Sequence, residues 1–132
     1  MTPDSSVLVA GFGPWHDRHD AAVRALRGLS DLVAHAELEA YSVLTRLPGP
    51  YRAPAAIVAQ YFRDRFPGAR LVLGDEDRSS FVLQLAESGV MGGAVYDALI
   101  AETAKAHGLR LLTCDARATV VYARLGAGFE PV

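Results

Sequence analysis

Apolar residues return every three or four positions in several stretches of the chain, each flanked by glycine or proline turns. Residues 20–29 place Ala21, Ala22, Val23, Leu26 and Leu29 on one face and Asp20, Arg24 and Arg27 on the other, which predicts a half-buried helix. The same spacing predicts helices over 36–47, closed by Pro48, and over 55–66 through Ile57, Val58, Tyr61, Phe62 and Phe66. Further helices are expected over 79–88, over 94–107 with Gly108 as the stop, and over 118–125.

Between these helices lie short apolar runs at 32–34, 69–73 and 109–113, with a tail at 129–132 suited to an edge strand. Residues 7–12 also read as a buried strand by propensity. Strands separated by helices need crossover connections, so the pattern predicts an α/β domain with a mostly parallel central sheet. Ligands of such sheets bind beyond the carboxyl ends of the strands.

A length of 132 residues, 51% hydrophobic, suits a single domain with one core, and no linker, repeat or low-complexity tract divides the chain. The 13 basic and 15 acidic side chains give no global field that would attract a polyanion, so any nucleic acid must be held locally. Lys105 is the only lysine; the other cations are arginines, suited to gripping phosphate with two donors. The lone Cys114 excludes an internal disulfide, and the absence of a long apolar segment or leader pattern predicts a cytoplasmic protein without a membrane anchor. The four histidines lack the spacing of a zinc-protease helix, Gly11-Phe12-Gly13 is an incomplete dinucleotide fingerprint, and no phosphate-binding loop ends in Lys-Ser or Lys-Thr.

Four acids stand out by position. Asp4 precedes the run at 7–12, and Asp115 follows the strand expected at 109–113; Glu39 and Asp97 fall in the first turns expected for two helices, where a negative charge is favoured. Taken singly, each acid reads as a helix cap or a solvated charge, and nothing in their spacing makes them neighbours. Glu37, Glu87, Glu102 and the run Asp75-Glu76-Asp77 read as solvated faces or helix-start charges.

In combination, however, Asp4-Ser5-Ser6, Glu39 in the segment ending Leu44-Thr45-Arg46-Leu47-Pro48, Tyr96-Asp97-Ala98-Leu99-Ile100-Ala101 and Leu111-Leu112-Thr113-Cys114-Asp115 resemble a PIN-domain ribonuclease, in particular the VapC toxins of bacterial toxin-antitoxin pairs. The resemblance spans nearly the whole chain. It departs from the usual pattern at Ser5, commonly threonine, and at Cys114, commonly arginine or another polar residue. It implies one PIN domain over residues 1–132, an α/β/α sandwich, and a short helix at 7–12 in place of the strand expected from propensity.

The resemblance further implies that Asp4, Glu39, Asp97 and Asp115 converge as the catalytic set, with Asp4, Asp97 and Asp115 as ligands of Mg²⁺ or Mn²⁺. Two carboxylates at about 5 Å repel by roughly 3 kcal/mol at an effective dielectric near 20, so such a cluster calls for a cation or a proton. Ser6 is expected either to hydrogen-bond Asp4 or to cap a helix; Arg46 and Arg117 are expected either to steady phosphate or to form surface ion pairs. An RNA substrate, a VapB-like antitoxin and a homodimer follow from the same resemblance. Two other classes remain open at this stage. A receiver-like phosphoacceptor switch needs adjacent acids after the first strand and a lysine after a late strand; an inactive PIN-like binding module would hold RNA or protein without cutting.

Overall fold

The structure, a computed structural model, describes all residues 1–132. In chain order the elements are β1 (Thr2–Pro3), α1 (Ser5–Phe12), α2 (His19–Ala25), β2 (Leu32–Val33), α3 (Ala34–Arg46), a 3-10 turn (Gly49–Tyr51), α4 (Ala55–Arg65), β3 (Arg70–Leu71), α5 (Asp75–Glu87), α6 (Ala94–Ala106), β4 (Leu111–Thr113), α7 (Ala116–Arg124) and β5 (Phe129–Pro131). Every strand pairing is parallel: β1 with β4, β4 with β5, and β2 with β3. The sheet is hydrogen-bonded in two parts, joined where β2 packs beside β1. Its order is therefore β3-β2-β1-β4-β5.

That order reverses direction between β1 and β4. With right-handed crossovers, α1 to α4 fall on one face and α5 to α7 on the other. The packing agrees: α1 lies against α2 and α3, α3 against α4, and α6 against α7. The point of reversal is where an open α/β sheet leaves a crevice at its carboxyl edge. Asp4 directly follows β1, and Asp115 stands two residues beyond β4.

Val7, Leu8, Leu26, Leu32, Leu44, Val58, Phe66, Ile100, Leu111 and Tyr122 are buried in one continuous core. Burying such side chains supplies about 1.5–3 kcal/mol each before conformational entropy is set against it. No helix is long and apolar enough to cross a membrane.

Local chemistry explains where elements begin and end. Residues 7–12 form helix, not strand, because Asp4 caps them: its carboxylate accepts from the amides of Ser6 and Val7. The helix expected over 20–29 stops at Ala25, and the chain turns through Gly28 at φ 77°, a conformation that favours glycine. Arg65 then reaches the carbonyls of Leu26 and Leu29 beyond that helix. The helix expected from Ser79 starts earlier, at Asp75, because Asp75, Glu76 and Asp77 form its first turn and favour the positive end of the dipole.

Helix α3 begins at Ala34, so Glu39 lies in its second turn and not in the first. Glu37 is no free surface charge: Arg70 holds it with two bonds of 2.8 and 2.9 Å while also donating to the carbonyls of Phe62, Phe66 and Gly68. This one arginine ties α3, α4 and β3 together. Glu102 likewise pairs with Lys105 at 2.9 Å.

Candidate active site

The site is assembled at the sheet reversal by two consecutive serines. Ser6 Oγ donates to Asp4 Oδ1 at 2.5 Å and accepts the amide of Cys114 at 2.8 Å, so one hydroxyl ties the end of β1 to the end of β4. Ser5 Oγ donates to Glu39 Oε1, fixing the start of α1 to α3. Both readings of Ser6 are thereby resolved: Asp4 is the cap, and Ser6 is a hydrogen-bond partner of that acid.

Asp4 is almost wholly buried, at 1% exposure. Its Oδ1 accepts from Ser6 Oγ and from the amides of Ser6 and Val7, and its Oδ2 accepts from the Tyr122 hydroxyl at 2.9 Å. Burial raises the Asp4 pKa, and hydrogen bonds from Ser6, Thr113, Tyr122 and Val7 offset this in part. Burial and the Asp4 charge push the Tyr122 hydroxyl well above its ordinary range, which keeps it a donor.

Asp97 sits in the first turn of α6. Its pKa is pushed up to about 6, first by burial and then by the charges of Glu39, Asp115 and Asp4, while Arg117 opposes the shift. Acids from four separate elements thus share one electrostatic neighbourhood. Asp115 caps α7, its Oδ1 accepting the amides of Arg117 at 2.8 Å and Ala118 at 3.4 Å. Thr113 Oγ1 accepts the Asp115 amide at 3.0 Å and braces that turn.

A further link runs between α3 and α6. His35 Nε2 stands 3.8 Å from Glu39 Oε2, one helical turn away, and its ring stacks on Tyr96 with centroids 5.3 Å apart and planes 9° from parallel. Tyr96 adjoins Asp97, so this stack sets the start of α6 beside Glu39.

The expected residues therefore divide. Asp4, Glu39, Asp97, Asp115 and Ser6 are brought together. Arg117 stands at the rim, its Nε 4.0 Å from Asp115 Oδ1 and its side chain almost fully exposed. Arg46 lies two turns beyond Glu39 on α3, about 10 Å along the axis, exposed and without a hydrogen bond or ion pair. The ion pair expected for it is not formed.

Ser5, His35, Tyr122 and Thr113 also build the site; Ser5 and Thr113 lie within the motifs around Asp4 and Asp115, although no role was expected for them. For His35 and Glu39 the i, i+4 spacing was the available signal. Tyr122 joins Asp4 across 118 residues and leaves no trace in local pattern.

The donors are hard oxygens, as Mg²⁺ and Mn²⁺ prefer. No three acids or imidazoles form a ready-made metal cage. An open set of this kind fits an ion that keeps several waters, and a cation there reverses the repulsion that raises the Asp97 pKa. The receiver alternative fails on its lysine: Lys105 lies on α6, engaged with Glu102 and the Leu125 carbonyl.

Comparison with known proteins agrees with this geometry. The PIN domain family matches residues 1–124. The chain is 49% identical to Ribonuclease VapC40 of Mycobacterium tuberculosis over 132 residues, covering 100% of this chain and 98% of that one. It is 39% identical to Ribonuclease VapC27 of the same organism over 128 residues, 96% of this chain and 92% of the relative. Among solved structures, FitAcB from Neisseria gonorrhoeae superposes with a TM-score of 0.69 at 19% identity, covering 97% of this chain and 94% of the other. FitAB bound to an IR36 DNA fragment superposes with a TM-score of 0.69 at 18% identity, covering 98% and 93%. The chain belongs to the PIN-domain family, and within it to the VapC proteins.

Proposed function

We propose that the protein is a VapC-type endoribonuclease that hydrolyses RNA phosphodiester bonds with a divalent metal, Mg²⁺ or Mn²⁺. The observation that carries this reading is the gathering of Asp4, Glu39, Asp97 and Asp115 at the reversal between β1 and β4, tied by Ser5 and Ser6. The identity to two ribonucleases over nearly the full chain supports it.

Asp4, Asp97 and Asp115 would hold the ion. When bound, it supplies positive charge to a phosphodiester and lowers the pKa of water. The chain's own part is to keep these carboxylates fixed. Asp4 is held by its hydrogen bonds and by Tyr122, and Asp115 by the start of α7. Glu39, held at one oxygen by Ser5, has its other oxygen 3.8 Å from His35 and is the acid placed to accept a proton from the attacking water. Arg117, the one cation among the influences on Asp97, offers its exposed guanidinium to phosphate at the rim.

The same reading supplies partners: a VapB-like antitoxin that covers the acidic site, a homodimer, and a cytoplasmic setting. Ile57 on α4 is exposed, whereas Val58 and Phe62 face the core, so of the large apolar side chains of α4 only Ile57 and the half-buried Tyr61 are available to an interface. Mapping of new RNA 5′ ends after brief induction in cells, with Asp4→Asn as control, tests the activity. A dominant new end present only with the native protein is expected; identical end profiles contradict the reading.

A further inference from the structure

The acids that serve the reaction create a difficulty for binding. A phosphate backbone approaching Asp4, Glu39, Asp97 and Asp115 meets like charge, and Arg117 is the one cation that registers on Asp97. With 13 basic against 15 acidic residues, the rest of the surface gives no compensating field. Beyond a bound metal ion and Arg117, affinity at this rim is available from groups indifferent to charge.

The stack of Tyr96 on His35 is such a group. Tyr96 is 52% exposed although one face lies against the His35 ring, so its opposite face is open. A nucleobase on an aromatic ring gains about 1–3 kcal/mol without regard to its identity or to nearby carboxylates. His35 is anchored on α3 and lies near Glu39, so the stack joins α3 to α6 at the rim of the site. Because Tyr96 stacks on His35, whose Nε2 stands 3.8 Å from Glu39 Oε2, a base resting on it lies beside the acids that would act on the phosphate.

Resting on the ribonuclease reading above, we infer that Tyr96, backed by His35, is the stacking platform for an unpaired base flanking the scissile phosphate. Tyr96 thereby restricts the substrate to single-stranded or looped RNA, in which a base can be splayed out. A protein segment docking on the same apolar rim is the competing occupant, but two nearly parallel rings beside the reacting acids favour a flat aromatic ligand.

The test uses a random-sequence single-stranded oligoribonucleotide pool to find a cut site with Mg²⁺, then a fixed oligonucleotide of that sequence with an abasic residue on either side of the cut. For Tyr96→Ala the expected loss in kcat/KM is about 10- to 100-fold, carried by KM, because ground-state and transition-state binding fall together. Tyr96→Phe and Tyr96→Trp stay within about threefold, since they keep the ring. At one flanking position the abasic substrate costs the native protein the same factor and costs Tyr96→Ala nothing more. His35→Phe, which keeps a ring but loses the nitrogen near Glu39, retains this base dependence.

An equal abasic penalty in native protein and Tyr96→Ala overturns the inference, as does a loss in Tyr96→Phe as large as that in Tyr96→Ala. If the native protein cuts no RNA with either metal, the ribonuclease reading fails separately. Stacking is then read from quenching of 2-aminopurine in a single-stranded oligonucleotide: quenching by native protein but not by Tyr96→Ala upholds the platform, and equal signals reject it.

Discussion

The Tyr122 hydroxyl donates to Asp4 Oδ2 at 2.9 Å, joining the last helix to the end of the first strand. Both groups are buried, so neither finds water when the other is removed. Tyr122→Phe leaves the acid with one donor fewer and is expected to cost about 1–3 kcal/mol in urea denaturation. The lost hydrogen bond also raises the Asp4 pKa further. A stability change within about 0.3 kcal/mol would contradict this role.

Ser6 and Ser5 differ in what they leave behind. Ser6→Ala removes the donor to Asp4 and the acceptor of the Cys114 amide, and is expected to destabilise by about 1–3 kcal/mol with faster amide exchange at Cys114. Ser5→Ala releases one oxygen of the half-buried Glu39, which water can reach, so activity falls while stability changes by less than about 1 kcal/mol. Exchange at Cys114 unaltered in Ser6→Ala counts against the bridge.

The amide variants of two acids separate structural from chemical roles. Asp115→Asn keeps a good cap for the Arg117 and Ala118 amides and is expected to stay within about 0.5 kcal/mol of the native stability. Asp4→Asn sets an amide donor where Oδ2 accepts from Tyr122, so the hydroxyl must accept where it now donates, and its own proton and the second amide hydrogen lose their buried acceptor, at a cost of about 1–3 kcal/mol. Thermal unfolding of both proteins checks the contrast; equal melting temperatures contradict it.

How far the sequence alone could have led is clear from these residues. Helices α3, α4 and α6 follow from apolar spacing, and Asp115 from its place after a strand. Residues 7–12 mislead, because Val7, Leu8 and Val9 suit a strand by propensity and only the cap at Asp4 decides for helix. The acidic run at 75–77 hides the start of α5 because its polar first turn has no apolar periodicity. That the four acids meet was legible only through family resemblance, since strand order and crossovers bring them together. Tyr122 lay beyond any local pattern for the same reason.

Asp97 carries a cost that depends on pH. Its pKa of about 6 in the fold exceeds the ordinary 3.8, so between pH 4 and 6 the folded state binds more protons than the unfolded one. Its contribution to stability is therefore greatest at low pH and is lost as pH rises through 6. In EDTA, the stability of Asp97→Asn relative to the native protein is expected to rise from pH 4 to 7 by about 1 kcal/mol, a figure reduced for partial exposure. Added Mg²⁺ narrows that gap by stabilising the native protein alone. A difference independent of pH contradicts the raised pKa of Asp97.

The central claim is that these acids act as one metal-loaded centre on RNA. Its most direct test is the single-turnover cleavage rate of a single-stranded RNA against Mg²⁺ concentration for the native protein and for Asp4→Asn, Glu39→Gln, Asp97→Asn and Asp115→Asn. The account predicts saturating, EDTA-sensitive cleavage by the native protein and a loss of at least about 100-fold in each variant, with combined variants no worse than single ones. Full activity in Asp97→Asn or Asp115→Asn, or cleavage that persists in EDTA, contradicts it.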